Sequence, residues 1–336
     1  MPENKIDLFR KVMAYEEVDE VPAIPSVSGW VARFSGTPLK DLIRNPEAIV
    51  RAQINAQKAI GYDALFAYID PLYIPESFGC SLVFLTSGAD VSPLPINSED
   101  NVKALPLPDI RRDGRIPVIL RVAEELVQSP GRQVPVLGLV EGPFTTSSRI
   151  LSAEKMMKAL IKNRSMVERL IEKVNQLLLQ FARALREIGI DGWIIADPVS
   201  SSTMISPQLY LKFVLPPLKD LIEEAGIPTI LHVCGNTTPI LPLMAETGAK
   251  ILSLDQCMDL HLANETLASR CGIGGNVDPI QTLLLGTPED VRRETVKCLK
   301  QGGKKGYILM AGCAVPPDTP LENLKAMIET NKEHRA

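Results

Sequence analysis

Three of the nine histidine and cysteine side chains in this 336-residue sequence are placed where they could bind one soft metal ion. His232 and Cys234 flank a single valine, and Cys313 follows much later in the segment Met-Ala-Gly-Cys. In an extended strand alternate side chains project to the same face, so an imidazole nitrogen and a thiolate at this spacing can reach one ion at about 2.0–2.3 Å. One histidine and two thiolates favour zinc, because sulfur donors disfavour magnesium and manganese. Three protein ligands leave a fourth tetrahedral position open, as in catalytic zinc sites.

The alternative for each cysteine is plain burial, since a free cysteine usually behaves as a small hydrophobic residue. A His-x-Cys pair alone is a weak signal. The glycine-rich surroundings and the strand-end positions of His232, Cys234 and Cys313 favour the metal site. For the other four cysteines we predict simple burial; these are Cys80, Cys257, Cys271 and Cys298.

Further polar residues stand where apolar runs of the sequence end. They are Glu141, Asp197, Asp255, Asn276 and Asp278. We predict that Glu141 and Asp197 belong to the catalytic site, where they orient His232 or hydrogen-bond the substrate, because a buried carboxylate needs partners. Asn276 and Asp278 are weaker candidates, since Asn-Val-Asp-Pro is also ordinary turn chemistry.

The elements that position these residues are short apolar runs alternating with segments of helical period. Most runs are continuously apolar, which is typical of parallel strands covered on both faces. We predict eight strands: Val21–Val27, Ala64–Ile69, Val134–Glu141, Gly192–Asp197, Thr229–Cys234, Ile251–Asp255, Ile273–Val277 and Tyr307–Gly312.

The fold class predicted from this alternation is α/β, a single (β/α)₈ TIM barrel, with a doubly wound open sheet as the alternative. Helical patterns include Pro46–Ile60, Pro207–Ala225 and Pro288–Gln301. In a barrel the carboxyl ends of the strands face the active site, so the polar residues collect at one mouth.

Two segments depart from a minimal barrel. Residues 1–20 predict an N-terminal helix before the first strand, and residues 70–115 predict an elaborated loop after the second strand. This loop is rich in proline and contains an apolar run, Ser81–Thr86, which indicates a hairpin that could act as a lid over the mouth. We find no break in composition, so one domain over 1–336 is expected.

Composition excludes several classes of function. The formal net charge of -4 offers no basic surface for nucleic acid. The N-terminus lacks the apolar core of a secretory signal, and the apolar runs are too short to span a bilayer. We therefore expect a cytoplasmic protein with neither nucleic-acid nor membrane partners.

Several motifs together resemble one family over nearly the whole chain. His232-Val-Cys-Gly-Asn-Thr-Thr-Pro, Gly274-Gly-Asn-Val-Asp-Pro and Gly312-Cys-Ala-Val-Pro-Pro are similar to segments of the methylcobamide:coenzyme M methyltransferases, a branch of the uroporphyrinogen decarboxylase superfamily of barrels. Val140-Glu-Gly-Pro-Phe-Thr and Ala196-Asp-Pro-Val-Ser-Ser look like the same branch. The decarboxylase branch is disfavoured, because the segment after the first strand lacks the arginine cluster that a substrate with many carboxylates requires.

The resemblance implies that His232, Cys234 and Cys313 bind Zn²⁺. It also implies that Asp255 holds the fourth position when substrate is absent, although relatives carry the longer Glu there. Asp255 is therefore predicted as a catalytic residue and metal ligand, with orientation of a ligand from outside the coordination sphere as its alternative role. A corrinoid is implied as well, and we expect a separate corrinoid protein to deliver it.

The expected enzyme is a corrinoid-dependent methyltransferase that moves a methyl group between a methylcobamide protein and a zinc-activated thiol such as coenzyme M. A first alternative is an O-demethylase component, which transfers methyl from a methyl ether or amine to Co(I) of a corrinoid protein. Aromatic residues lining the pocket would favour an aryl ether, and the candidates are Trp30, Phe66, Tyr68 and Tyr73. A second alternative is a non-catalytic zinc-binding barrel that scaffolds a corrinoid partner.

Overall fold

Parallel strands form the centre of the molecule. The structure is a computed structural model that describes residues 4–85 and 88–334. Seven parallel strands pair in the order β1-β4-β5-β6-β7-β8-β9, and β2 and β3 form a separate antiparallel hairpin. The strands are β1 Leu65–Phe66, β2 Ser81–Leu85, β3 Gly88–Ser92, β4 Val136–Glu141, β5 Gly192–Ala196, β6 Thr229–His232, β7 Ile251–Ser253, β8 Gly272–Val277 and β9 Tyr307–Ala311.

The eighth position of the barrel is filled by an irregular segment around Ala23. Ala23 forms a parallel bridge with Leu309 of β9, and its carbonyl accepts a hydrogen bond from the Asp63 N–H just before β1. The sheet therefore closes, and the (β/α)₈ barrel prediction is confirmed. The predicted strand Val21–Val27 is wrong, because Pro22 and Pro25 have no N–H to donate to a strand ladder.

Helices surround the sheet and connect successive strands. Helix α4 shows the local causes clearly, since the Asn45 side chain caps the Ala48 N–H and Gly61 ends the helix in the left-handed conformation. The helices are α1 Lys5–Met13, α2 Ser28–Phe34, α3 Leu39–Leu42, α4 Pro46–Ile60, α5 Tyr73–Ser77, α6 Glu99–Ala104, α7 Ile116–Val127, α8 Pro143–Leu151, α9 Ala153–Lys162, α10 Arg164–Ile188, α11 Pro207–Leu209, α12 Leu215–Ala225, α13 Leu241–Ala245, α14 Leu260–Leu267, α15 Pro288–Gly302 and α16 Leu321–Glu333.

The predicted helix Pro207–Ala225 is interrupted. A π-helical turn, Tyr210–Val214, separates α11 from α12, where Pro216 and Pro217 lack the N–H groups that a regular helix would use. Helix α1 precedes the barrel as predicted; residues 1–3 and 335–336 of the predicted ranges lie outside the described residues.

The insertion between β1 and β4 carries the predicted hairpin, β2 paired with β3, although Thr86 lies outside the described residues. The insertion is anchored by Arg115, which is 1% exposed and donates to both oxygens of Asp70 and to Glu76. Because Asp70 follows β1 and Arg115 precedes α7, this buried ion pair fixes both ends of the insertion to the barrel.

Buried aliphatic side chains fill the barrel and the layer between strands and helices. Within residues 4–85 and 88–334, no helix has the length and apolar character needed to cross a bilayer. The core fixes the strand ends rigidly, which is what a site made of strand-end residues requires.

Candidate metal centre

The three residues with soft donors converge at the carboxyl ends of β6 and β9. His232 is the last residue of β6, Cys234 follows it by two positions, and Cys313 follows β9. One ligand atom from each residue lies within 4.8 Å of the other two. The His232 Nε2 and Cys234 Sγ atoms are 3.2 Å apart, and the two Sγ atoms are 3.7 Å apart.

These distances fit a tetrahedral zinc ion. Two sulfurs each about 2.3 Å from such an ion would be about 3.8 Å apart, and a nitrogen and a sulfur about 3.6 Å apart. The observed sulfur separation of 3.7 Å agrees, and the nitrogen–sulfur distance of 3.2 Å is a few tenths of an ångström short. All three side chains are half-buried, so the site remains open to the barrel mouth.

His232 is oriented from the neighbouring strand. Its Nδ1 lies 3.2 Å from both the carbonyl oxygen and the Oγ of Ser253, which pairs with His232 in the parallel register of β6 and β7. An Nδ1–H that donates to the Ser253 carbonyl leaves the Nε2 lone pair free for a metal. Ser253 was missed by the sequence analysis, although its position one strand along at the end of β7 was a usable signal.

The two thiols share a strongly polarised environment. A hydrogen bond from Cys234, together with His232, holds the pKa of Cys313 well below its ordinary value. The hydrogen bond to Cys313, followed by burial, raises the pKa of Cys234. One thiol of the pair therefore ionises readily, and the thiolate is the form that binds metal.

Asp255 lies beside this group and is not part of it. Its Oδ2 accepts a hydrogen bond from the Gly235 N–H at 2.8 Å, and its Oδ1 accepts one from the Cys257 N–H at 3.0 Å. Both oxygens of the carboxylate are thus engaged by backbone N–H groups, one next to Cys234 and one in the loop of Asp255 itself. A fourth-ligand role for Asp255 stays a prediction, and the contacts favour its alternative role as a support of the ligand loop.

Glu141 is held by an arginine. The Arg149 guanidinium donates to Glu141 Oε1 at 3.0 Å and to Asp90 of the hairpin at 2.9 Å. Burial raises the pKa of Glu141, and the charge of Arg149 opposes that shift. Glu141 and Arg149 therefore link the end of β4 to the hairpin, a role that the sequence analysis did not predict.

Asp197 supports a helix. It is fully buried, and its Oδ1 accepts hydrogen bonds from both the N–H and the hydroxyl of Thr145, in the first turn of α8. Its Oδ2 has no partner among the described residues. Burial raises the pKa of Asp197 to about 7. Only its backbone N–H contacts His232, through the carbonyl oxygen, so the side chain does not orient the imidazole.

Asn276 and Asp278 have different surroundings. Asp278 caps the turn after β8 by accepting from the Ile280 and Gln281 N–H groups, which is the turn chemistry considered for it. Asn276 is buried and binds the backbone of the segment after β7. Of the four cysteines predicted to be buried, Cys80, Cys271 and Cys298 are buried, whereas Cys257 is exposed.

The aromatic candidates for a substrate pocket belong to the core. The Trp30 indole donates to the Thr319 carbonyl at 2.8 Å, and the Tyr73 hydroxyl donates to the Leu139 carbonyl. Phe66 is 0% exposed and packs against Tyr68 at a ring-centroid distance of 5.6 Å. These contacts account for all four side chains without a ligand.

Comparison with known proteins gives one family. The family model described as uroporphyrinogen decarboxylase (URO-D) matches residues 4–334. Methylcobamide:CoM methyltransferase MtbA of Methanosarcina mazei is 30% identical over 97% of this chain and 96% of its own. Uroporphyrinogen decarboxylase of Thermus thermophilus is also 30% identical, over 88% of this chain and 86% of its own. A solved structure of a methyltransferase from Methanosarcina mazei superposes with a TM-score of 0.92 at 28% identity, covering 99% of both chains.

Proposed function

This chain belongs to the uroporphyrinogen decarboxylase family and is an enzyme of its corrinoid-dependent methyltransferase branch, and we propose that it moves a methyl group between a corrinoid protein and a zinc-activated thiol such as coenzyme M. The observation that carries the proposal is the convergence of His232, Cys234 and Cys313 within 4.8 Å at the open strand ends.

The donor set separates this proposal from decarboxylation. A decarboxylase relative is also 30% identical to the chain, but it is matched over 88% of the chain, whereas the methyltransferase relative is matched over 97%. Decarboxylation of this kind needs no metal, which would leave a pair of thiols beside an imidazole without a purpose. Thiolates are the preferred ligands of zinc, and a thiol-binding zinc site explains them.

The residues of the chain would prepare the site for a thiol. Ser253 keeps Nε2 of His232 directed at the metal position, and the Cys234–Cys313 pair supplies the thiolates. A free thiol of pKa about 8.5 is mostly protonated at neutral pH, and the zinc ion, when bound, would favour its thiolate form. The rigid strand ends would then keep the sulfur in line with the methyl group of the donor.

The methyl donor would be methyl-Co(III) of a corrinoid on a separate protein docked at the mouth. The thiolate sulfur would bond to the methyl carbon, and the electron pair of the broken cobalt–carbon bond would stay with the corrinoid. The corrinoid would supply the bond-breaking chemistry, and the strand ends of this chain would position the sulfur.

The demethylase alternative loses the observation that favoured it. Trp30, Phe66, Tyr68 and Tyr73 are buried in the core, so no aromatic lining for an aryl ether follows from them. The scaffold alternative would need a metal with no exchangeable position, whereas the three donors leave one tetrahedral position free.

The experiment is spectral and uses free methylcobalamin as the corrinoid. Zinc-loaded protein and coenzyme M should convert the methyl-cobalt absorbance to that of Co(I), with methylated thiol detected by mass spectrometry. If a panel of thiols leaves the absorbance unchanged, while Co(I) with methyl ethers is methylated, the direction proposed here is wrong. If neither thiols nor methyl ethers react, and neither alters the zinc coordination in X-ray absorption, the scaffold alternative replaces both enzymes.

A further inference from the structure

The two cysteines come from strands that are not neighbours. Strands β7 and β8 lie between β6, which leads to Cys234, and β9, which leads to Cys313. The sulfurs are nevertheless 3.7 Å apart. The segment that follows β7, residues 255–258, lies between the two cysteine-bearing loops, and we refer to it as the spacer loop.

The spacer loop holds the Cys234 side through a charged hydrogen bond. The Asp255 carboxylate accepts from the N–H of Gly235, the residue next to Cys234, at 2.8 Å. Gly235 adopts a φ of 77°, a left-handed conformation in which glycine carries no strain. From the other side, the Ser201 hydroxyl donates to the Cys234 carbonyl at 2.7 Å. Asp255 and Ser201 therefore hold the backbone around Cys234 from two sides.

The spacer loop meets the Cys313 side by direct backbone packing. A Cβ atom at Gly312, the residue before Cys313, would lie 2.4 Å from the backbone nitrogen of Gln256 and 2.9 Å from its Cα. Such distances leave no room for a side chain at position 312. The N–H of Gly312 also donates to the Val277 carbonyl at 2.8 Å. The position of Gln256 thus limits how closely the Cys313 loop can approach.

One buried amide secures both ends of the spacer loop. Asn276 is 7% exposed, and its Nδ2 donates to the carbonyls of Asp255 at 3.0 Å and Met258 at 2.7 Å. Its Oδ1 in turn lies 3.7 Å from the Cys298 sulfur. Both amide protons of Asn276 are therefore donated to carbonyl groups of this loop.

We propose that the spacer loop sets the separation of the two metal-binding sulfurs, and that Asn276 is the positioning residue that holds the loop in place. The proposal rests on the zinc site of the proposed function. Residues one step removed from a metal typically change its affinity by about 10–100-fold when they are replaced. Asn276 acts here through backbone, so its loss should disturb the geometry of both thiolates together.

The test compares Asn276→Leu with a matched control, Asn323→Leu. Asn323 is also buried, at 1% exposed, and its Nδ2 likewise donates to two carbonyls, those of Leu283 and Gly286 at 2.9 and 2.8 Å. Both variants lose the same type of bond and should lose similar thermal stability. Zinc affinity is measured by competition with a chromophoric chelator, and the thiolate-to-cobalt charge-transfer band is recorded after Co(II) substitution.

We expect Asn276→Leu to bind zinc about 10–100-fold more weakly and to alter the charge-transfer band, while Asn323→Leu matches the unmodified protein in both. Equal zinc affinity and an unchanged band in Asn276→Leu, or equal losses in both variants, would overturn the role of Asn276. If Asn276→Leu does not fold, Gly312→Ala tests the contact of the spacer loop with the Cys313 loop. It should lower the zinc affinity and alter the charge-transfer band. An unchanged affinity and band in Gly312→Ala would overturn the role of the spacer loop.

The proposed function fails separately. If the unmodified protein shows no thiolate-to-cobalt band, Cys234 and Cys313 do not bind metal, and the spacer proposal falls with the site. If the unmodified protein shows the band and Asn276→Leu keeps it, the metal site stands and only the spacer is refuted.

Discussion

The mouth of the barrel has two halves that are alike in sequence and different in structure. Both place polar residues at the ends of apolar strands. One half has Glu141 as the last residue of β4 and Asp197 directly after β5, and the other has the His232–Cys234–Cys313 group at β6 and β9. In the first half, Glu141 is bound by Arg149 and Asp197 by Thr145, and both carboxylates are buried. In the second half, the donor atoms converge on one another and remain half-buried.

The difference shows that a strand-end position is not enough to identify a reactive group. What matters is whether its lone pairs are already used by the protein. Arg149 bonds to both oxygens of Glu141, and Thr145 bonds to Oδ1 of Asp197, so these contacts tie the carboxylates to the hairpin and to α8. Among the described residues, the imidazole Nε2 and the two sulfurs have one another as side-chain partners, and the Ala314 backbone adds a hydrogen bond to Cys313. Donor atoms that converge in this way are preorganised for a metal.

The largest effect should follow from Cys313→Ala, which removes one ligand from the half of the mouth that holds His232, Cys234 and Cys313. The loss of one of three ligands should lower zinc affinity by more than about 100-fold, beyond the range seen when an outer partner is removed. Methyl transfer should fall to the rate without enzyme. Zinc content after gel filtration and the methylcobalamin assay measure the two effects.

Cys271→Ala is the matched control, because Cys271 is a buried cysteine just before β8, at the opposite end of the barrel. It should keep full zinc content and activity. If Cys313→Ala also keeps full zinc content and activity, the metal-centre assignment is wrong, and neither half of the mouth is a metal site.

The next effect concerns the half of the mouth that holds Glu141 and Asp197, and it should leave the zinc affinity unchanged. Arg149→Met would leave Glu141 buried without its countercharge, and breaking a buried ion pair in this way costs about 3 kcal/mol of unfolding free energy. Urea unfolding of the zinc-loaded protein measures this loss. Zinc affinity should stay at its original value, because Arg149 bonds to Glu141 and Asp90 and to none of the three ligands.

Arg183→Met serves as the control for the loss of an ion pair, since the Arg183–Glu224 pair is exposed on both sides. Such pairs contribute about 0–1 kcal/mol. A fall in zinc affinity in Arg149→Met comparable to that of Cys313→Ala would contradict the comparison, because the halves would then form one site.

The sequence predicted the barrel and the three soft ligands because both leave local signals. Apolar runs ending in polar residues indicate parallel strands, and His-x-Cys indicates two donors on one strand face. The closing segment around Ala23 was mispredicted as a strand, since its apolar residues fit the pattern while Pro22 and Pro25 remove the ladder donors.

The partners of the strand-end residues could not be predicted, because they come from distant parts of the chain. Arg149 lies on a helix and joins Glu141 to a hairpin residue 59 positions away in the sequence. Ser253 meets His232 only through the register of β6 and β7. Which lone pairs remain free is therefore a property of the packed structure, and it decides between support and catalysis.

The smallest effect is a dependence of the unfolding free energy on pH, caused by Asp197. It tests whether this carboxyl group is protonated, and therefore neutral, in the folded protein. Burial raises its pKa from 3.8 to about 7, and the Oδ2 without a partner is the atom that would carry the proton. Between these two values the folded protein keeps a proton that the unfolded chain has lost. Rising pH therefore favours unfolding in this window, by at most about 1.4 kcal/mol per pH unit.

Asp197→Asn removes this ionisation and retains an oxygen to accept the bonds from Thr145. Stability of the variant, measured by urea unfolding between pH 5 and 8, should fall less steeply with pH than that of the unmodified protein up to about 7, and the two slopes should agree above that value. Its zinc affinity should be unchanged at every pH. Identical slopes throughout would mean that Asp197 is ionised in the folded state, and the mouth would then hold a second buried charge for which Thr145 is an insufficient partner.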